Sequence, residues 1–382
     1  MIRRLKEDDI LKIVELENST LNTSLGYDML KSSLENEMAY FFVLEENEKI
    51  LGYISTMFDG QIVEILNFCV DNNYQHKGLG TKILAFIDNY FIKLNAESII
   101  LEVRDKNINA IKIYEKFGFK KIHVRKNYYS NGDDALILNK KMINVSSLYD
   151  SYISVDSKLE KYDDYYKFFD DVQKDKYYNN YFKIINPKKE LINELKQKQF
   201  RDYLMFFSDI EIDNLFDFKF EKDTLIYMYS SIYGINPLKN NSYDVIKLNA
   251  SHSKMQYDLV YNDSKEFGLD FANNNALRAN DDLINNKFDY FSIIENDKII
   301  AYMKVFKKDD AIFIEDVLTD INYRHKGLCS SIFNYVINYY KNLNIKHVVL
   351  FADSDDTTKY MYLDMGFVSV KNCFVYRMVW YG

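Results

Sequence analysis

The feature that most constrains this chain is that it repeats itself. Glu46-Asn47-Glu48-Lys49-Ile50-Leu51-Gly52-Tyr53 returns 249 positions later as Glu295-Asn296-Asp297-Lys298-Ile299-Ile300-Ala301-Tyr302. Asp71, Asn73-Tyr74 and His76-Lys77-Gly78-Leu79 return as Asp320, Asn322-Tyr323 and His325-Lys326-Gly327-Leu328. At an offset of 248, Tyr114 to Phe119 is echoed by Tyr362 to Phe367. One fold used twice is the expectation, and 382 residues are too many for a single core of ordinary size. The division expected is a first module over 1–143, a second, diverged copy over 241–382, and residues 144–240 between them. That middle stretch is rich in tyrosine and too apolar for a tether, so it reads as an α+β extension or a truncated further copy. Within it, 188–201 reads as a helix and 224–230 as a strand; 243–248 opens the second copy as a strand.

Periodicity supplies the elements of the first module. Strands are expected over 2–5, 39–44, 50–57, 62–70, 98–103, 120–125 and 134–140. Helices are expected over 8–18, 28–34, the stretch after Gly78, and 109–117. Ile10, Ile13, Val14 and Leu16 or Glu17 carry the apolar stripe of the first helix, and Glu45 to Lys49 reads as a hairpin turn. The fold class is α/β with a mixed sheet.

Chemistry concentrates where strand 62–70 meets the glycine-containing turn Gln75-His76-Lys77-Gly78-Leu79-Gly80-Thr81. Glycine in a helix costs roughly 1 kcal/mol relative to alanine. Its benefit here is close approach, because helix N-terminal N–H groups free of Cβ atoms can touch a phosphate, and the helix dipole favours the negative charge. A surface turn leading into an amphipathic helix is the plain alternative.

The pattern Gln75-x-x-Gly78-x-Gly80 after Phe68-Cys69-Val70-Asp71 resembles the acetyl-CoA signature of the GCN5-related N-acetyltransferases (GNAT). Further downstream, Leu101 to Arg104, Asn107, Ala110-Ile111, Ile113 to Glu115, Gly118-Phe119 and Arg125 to Tyr129 look like the ribosomal-protein-alanine N-acetyltransferase branch. The resemblance covers about residues 1–142 and implies tandem folds of this family, with a sheet splayed at its centre. It implies acetyl-CoA as cosubstrate, held by Phe68, Cys69, Val70, Gln75, His76, Lys77, Gly78, Leu79, Gly80, Thr81 and Asn107. It implies a primary amine as acceptor, either a protein N-terminal α-amine or a small-molecule amine, attacking the thioester directly. A non-catalytic acyl-CoA-binding or scaffold protein is the alternative of a different class.

Two residues are singled out for catalysis. Glu102 sits in mid-strand, as an ion-pair partner of Arg104 or as a general base with a pKa raised by burial. Tyr114 lies on an apolar stripe and reads unaided as core; the resemblance makes it the general acid that protonates the departing thiolate. Cys69 as an acyl-enzyme nucleophile is the tempting alternative, but a strand cysteine without a nearby histidine is more often a small buried hydrophobe. Asn127-Tyr128-Tyr129 is either part of an acceptor groove or a solvated turn. Asn22 to Tyr27 stands where the alanine-acetylating branch usually carries a Pro-Trp pair, which leaves a protein N-terminus open as acceptor.

The second copy departs from the pattern. Arg324 replaces the glutamine, Cys329 the second glycine and Leu350 the glutamate, and Asp355 stands where Asn107 does. The expectation is weakened CoA binding there, through a Cys329 side chain that crowds the phosphate, and at least a tenfold loss on Gly80→Cys in the first copy.

Composition narrows the partners. With 49 basic against 57 acidic residues the net charge is −8, which argues against a nucleic-acid surface. No apolar run reaches the roughly 20 residues of a membrane helix, and Met1 to Asp9 does not read as a signal peptide, so the expected location is the cytoplasm. Cys69, Cys329 and Cys373 show no metal-ligand spacing and are expected to be reduced.

Overall fold

A computed structural model describes residues 1–21, 24–174, 176–198, 203–238 and 243–379. Two compact units emerge, Met1–Ile143 with Ser230–Gly234, and Asn144–Tyr229 with Ile235–Gly382.

The first unit runs β1 (Ile2–Arg4), α1 (Ile10–Leu21), α2 (Tyr27–Leu34), β2 (Ala39–Glu46), β3 (Lys49–Phe58), β4 (Ile62–Val70), α3 (Leu79–Ile92), β5 (Ser98–Arg104), α4 (Ile108–Lys116), β6 (Lys120–Arg125) and β7 (Ala135–Lys141). The sheet order is β1-β2-β3-β4-β5-β7-β6. All neighbours are antiparallel except β4 and β5. Asn47 and Glu48 both have positive φ, 48° and 63°, as a tight two-residue hairpin turn demands.

Each face of this sheet has its own core. Ile10, Ile13 and Leu16 of α1 and Leu30 of α2 pack with Phe41, Tyr53 and Cys69 on one face. Ile83, Ile87 and Phe91 of α3 and Tyr114 and Phe117 at α4 pack with Ile99, Leu101 and Val103 on the other. A wholly buried ion pair, Lys140 Nζ to Asp88 Oδ2 at 2.5 Å, ties α3 to β7.

The second unit runs α5 (Val145–Ile153), β8 (Lys158–Lys161), β9 (Tyr165–Phe169), β10 (Tyr181–Ile184), α6 (Lys189–Lys196), β11 (Tyr203–Ser208), β12 (Glu221–Ser231), β13 (Ile246–Lys247), α7 (Ser253–Ser264), α8 (Leu269–Ile284), β14 (Asp289–Glu295), β15 (Lys298–Lys308), β16 (Ala311–Thr319), α9 (Leu328–Asn342), β17 (His347–Asp353), α10 (Thr358–Asp364) and β18 (Val368–Val379). Eleven strands form one sheet, ordered β13-β14-β15-β16-β17-β12-β18-β11-β10-β9-β8. In the first unit β7 lies between β5 and β6; here β12, from upstream of the repeat, lies between β17 and β18. The middle stretch and the second copy therefore share one sheet. The helix expected over 188–201 is α6, with 199–201 outside the described residues, as are Asn22 and Thr23; the strand expected over 243–248 is the two-residue β13. Among the described residues no helix is long and apolar enough to cross a membrane.

Candidate active site

The parallel pairing of β4 with β5 runs from Ile62↔Ser98 to Ile65↔Leu101 and goes no further. Past a bulge at Leu66, the residues from Asn67 to Val70 pair only with β3. A parallel pair that stops half-way leaves backbone donors and acceptors facing an opening in the sheet. The turn and α3 begin at the end of that opening.

The turn is built to expose its backbone. Asp71 accepts from Asn73 N–H at 2.9 Å and pairs with Lys49 at 3.0 Å, while His76 adopts φ +62°. Gly78 caps α3 at φ +82°, and a side chain there would meet nothing within 4 Å, so it is the backbone angle that requires glycine. The first bond of α3 is from Lys82 N–H to the Gly78 carbonyl at 3.0 Å, and among the described residues no side chain caps the donors of Leu79, Gly80 and Thr81. Bare donors at a helix N-terminus suit an anion.

Other side chains of the turn brace it. Gln75 Nε2 donates to the Val70 carbonyl at 3.2 Å and to Asn72 Oδ1 at 2.9 Å. Lys77 donates to the Asn73 carbonyl at 3.2 Å and stands 4.7 Å over the Tyr74 ring. Asn107 caps α4, its Oδ1 accepting from Ala110 N–H at 3.2 Å.

Gly80 corrects the sequence reading. A Cβ there would point inward, 3.2 Å from Ile113 Cδ1 and 3.4 Å from Phe68 Cζ, and not outward to a phosphate. The residue is glycine because α3 packs closely on β4 and α4.

Tyr114 is buried in the α3/α4 core, its ring 6.2 Å from Phe68 and 5.5 Å from Phe119. Burial pushes its phenol well above the ordinary tyrosine value, with a smaller contribution from Cys69, so it stays protonated at neutral pH. No described residue hydrogen-bonds its hydroxyl. Cys69 belongs to the opposite, α1/α2 core. Burial pushes its thiol up to about 12, which makes it inert as a nucleophile.

Glu102 lies on the other side of the sheet from Tyr114. Alternation along β5 turns Ile99, Leu101 and Val103 into the α3/α4 core and Glu102 away from it. The burial expected of Glu102 is partial, its side chain being 27% exposed, and its partner is Arg125 at 2.6 Å in place of the expected Arg104. Arg104 instead stands 4.1 Å over the Tyr129 ring and pairs with Asp133 at 3.5 Å, and Arg125 stands 5.3 Å over Tyr128. The Asn127-Tyr128-Tyr129 turn thus borders the Glu102 side of the sheet.

Glu17 was missed as a polar site. It is fully buried, with Oε1 accepting from Asn67 Nδ2 at 2.6 Å and Oε2 from Ser24 Oγ at 2.7 Å and Leu25 N–H at 3.0 Å. It thereby fixes Asn67, the first β4 residue past the bulge. The available signal was a carboxylate on an apolar helical stripe.

In the second copy, β16 and β17 pair in parallel from Ala311↔His347 to Ile314↔Leu350. This register makes Leu350 the counterpart of Leu101, so the residue in the place of Glu102 is Phe351, packed against Tyr149 and Tyr227 at 4.6 and 4.3 Å. At the start of the following helix it is Asp356, and not Asp355, that accepts from a helix N–H, that of Thr358 at 3.1 Å, while the capping position itself is Thr357. Cys329 is half-buried, and burial raises its thiol to about 11.

The sequence profile of the acetyltransferase (GNAT) family matches residues 8–119 and 257–367. This chain belongs to that family. An N-alpha-acetyltransferase of Saccharolobus solfataricus is 32% identical over 157 residues, 37% of this chain and 92% of its own. A [ribosomal protein bS18]-alanine N-acetyltransferase of Escherichia coli is 33% identical over 110 residues, 28% of this chain and 74% of its own. A solved protein of unknown function from Staphylococcus epidermidis covers 63% of this chain and 98% of its own at 19% identity, TM-score 0.53, which shows a shared fold. The chain is an acetyltransferase of the GNAT family, with two regions of that fold.

Proposed function

We propose that the module over 1–143 transfers an acetyl group from acetyl-CoA to a protein N-terminal α-amine, with small-molecule amines as the other acceptor class. The observation that carries this reading is the half-paired β4/β5 junction, flanked by Tyr114 on one face and Glu102 on the other. The fit to acetyl-CoA is supported by the uncapped α3 N-terminus beside the open space at Gly78, and by the unpaired β4 edge. Acetyl-CoA, when bound, supplies the thioester.

The backbone N–H groups of Leu79, Gly80 and Thr81 receive the diphosphate, and the β4 backbone near Cys69 and Val70 holds the pantetheine arm and the carbonyl oxygen. Phe68 and Leu79 line the arm, and Asn107 offers its amide nitrogen, its oxygen being engaged as a cap. Glu102 removes the amine proton, directly or through water, from the Tyr128–Tyr129 side. Tyr114 supplies a proton to the leaving sulfur from the opposite side. The α-amine of a polypeptide is preferred because the relatives named above act, by their names, on that group, and the open rim at Tyr128 leaves room for a chain.

The test is acetyl transfer to peptides of varied N-terminal residue and to small amines, read by mass spectrometry of the product. Glu102→Gln and Tyr114→Phe are each expected to lower kcat about a hundredfold or more. Undiminished transfer in both variants would overturn the assigned roles.

A further inference from the structure

Ser230–Gly234 belongs to the first unit although it comes from the middle stretch, far in sequence from the rest of that unit. Ser230, Ser231 and Ile232 are each buried to 1% exposure or less, and a hydrogen bond from Gly234 N–H to the Ser231 carbonyl at 2.8 Å closes the segment into a tight turn. Among the described residues, none of the strands of this unit's sheet draws on it, so its burial there has a different reason.

The segment grips the two helices that carry the candidate site. Asn89 of α3 accepts at Oδ1 from Ser231 N–H at 2.9 Å and donates from Nδ2 to Ser230 Oγ at 3.4 Å. Ser231 also bonds the side chain of Asp88, the carboxylate already paired with Lys140 of β7. A Cβ on Gly234 would stand 3.3 Å from Asn89 Nδ2, so glycine lets the turn close on α3. Tyr233 reaches α4: its ring packs on Phe117 with centroids 4.9 Å apart, and Lys116 Nζ stands 4.4 Å over it. Phe117 is the C-terminal cap of α4, and its N–H donates to the Tyr114 carbonyl at 3.0 Å. Asn89 lies about 15 Å along α3 from Leu79. The clamp thus holds the C-terminal parts of both helices, while Gly78 and Asn107 mark their N-terminal ends.

We propose that Tyr233, with Ser231 and Asn89, is a positioning residue for acetyl transfer by the first unit: it fixes α4 against α3 and so sets where the Tyr114 hydroxyl stands relative to a thioester held at the α3 turn. This rests on the reading of Tyr114 as the proton donor. The turn is braced by its own residues Asp71, Gln75 and Lys77, whereas the Tyr114 hydroxyl has no hydrogen-bond partner among the described residues and takes its place from packing. Turnover falls steeply with errors of placement, a shift of about 1 Å costing on the order of a hundredfold. Loosening the clamp therefore slows the chemical step more than it weakens acetyl-CoA binding.

Steady-state kinetics of the full chain, with acetyl-CoA and the best acceptor of the peptide and amine panel, tests this. Tyr233→Ala should lower kcat about tenfold or more and leave the KM for acetyl-CoA within about threefold. Asn89→Ala, at a half-buried position, should lower kcat about threefold, and Tyr233→Phe, which keeps the ring, should restore the parent rate. A merely structural role gives losses that add to those of Tyr114→Phe, whereas positioning leaves Tyr233→Ala costing less than about twofold in the Tyr114→Phe background. Amide hydrogen exchange supplies a readout that needs no acceptor: amides 113–117 of α4 should exchange faster in Tyr233→Ala, and amides 79–83 of α3 should not. Tyr114→Phe turning over like the parent would overturn the proton-donor reading on which this one rests. With Tyr114→Phe slow, a Tyr233→Ala that keeps the parent's kcat, a loss confined to KM, or losses that add would overturn the positioning role alone. Unchanged exchange at 113–117 would overturn the clamp whether or not an acceptor is found.

Discussion

The turns before α3 and α9 have nearly one backbone and different surroundings. Asp71 and Asp320 cap them alike, accepting at 2.9 and 3.0 Å, and His76 and His325 share φ +62°. Gly78 and Gly327 stand at φ +82° and +83°, and Lys49 and Lys298 pair with the capping aspartates at 3.0 and 2.5 Å. Even the substituted position keeps its task, since Gln75 donates to the Val70 carbonyl at 3.2 Å and Arg324 to the Thr319 carbonyl at 3.4 Å. What differs lies across the sheet. Glu102 with Arg125 becomes Phe351 among tyrosines, and beside the strand bulge that both copies have, Asn67, held by Glu17, gives way to Asp316. The backbone of the turn is common to both copies, while the opposite face differs.

The largest expected effect separates the two helices that follow the turns. Asp88 of α3 is paired inside the core, whereas the position 249 residues on is the apolar Ile337 of α9. Lys140→Met should leave an unpaired buried carboxylate and destabilise the first unit by about 3–5 kcal/mol in denaturant unfolding. Adding Asp88→Ile should restore most of that loss, since the second copy carries a buried isoleucine at the matching helix position. A single change that costs nothing would show that the pair is not the anchor of α3.

Next in size is catalysis. Glu102→Gln should remove about 2.7 kcal/mol of transition-state stabilisation, a hundredfold in rate, and Phe351 offers no carboxylate at the matching place in the second copy. Residual transfer above a hundredth of the parent rate, absent in the first unit expressed alone, would assign turnover to the second copy.

Acid–base behaviour sharpens the contrast on the remodelled face. Burial, then Asp316, raise the Glu315 carboxyl to about 7, against the pull of Lys304. The folded state therefore holds a proton that the unfolded chain has released between about pH 4.5 and 7. Stability from this group is complete below the unfolded value and is lost as pH rises through 7, by on the order of 1–3 kcal/mol. Glu315→Gln should flatten that part of the melting-temperature profile of the second unit. A parent and variant with parallel profiles would count against it.

The smallest effect is at the glycine itself. Because a Cβ at Gly80 meets Ile113 and Phe68, Gly80→Cys should cost about 1 kcal/mol of packing and shift CoA affinity by less than about tenfold. Calorimetry with CoA decides this. A large loss of affinity with unchanged stability would restore the phosphate-approach explanation.

Much of the first unit was legible because its determinants are local. Strand 62–70 was found at its full extent, and the other elements fell within a few residues of their bounds, since alternation and helical period are set by immediate neighbours. Gly78 was legible as the place where the turn enters a helix, but its left-handed backbone, φ +82°, came only with the structure. The candidate site was legible as a set of positions, through the resemblance carried by Gln75 to Gly80, Glu102 and Tyr114.

Tertiary structure decided the rest, where the cause lies far away in the chain. The direction of a Cβ at Gly80, the choice of Arg125 over Arg104 as partner of Glu102, and the pairing of Lys140 with Asp88 depend on which strands and helices are packed together. So does the register that sets Phe351, and not Leu350, opposite the first unit's glutamate. The eleven-stranded sheet, with β12 between β17 and β18, is beyond any reading of periodicity, because a strand's pattern specifies a buried face but not its neighbour. Sequence by itself determined a repeated fold and the turn at its centre; the assembled sheet determined which carboxylates face an opening and which are buried with a partner.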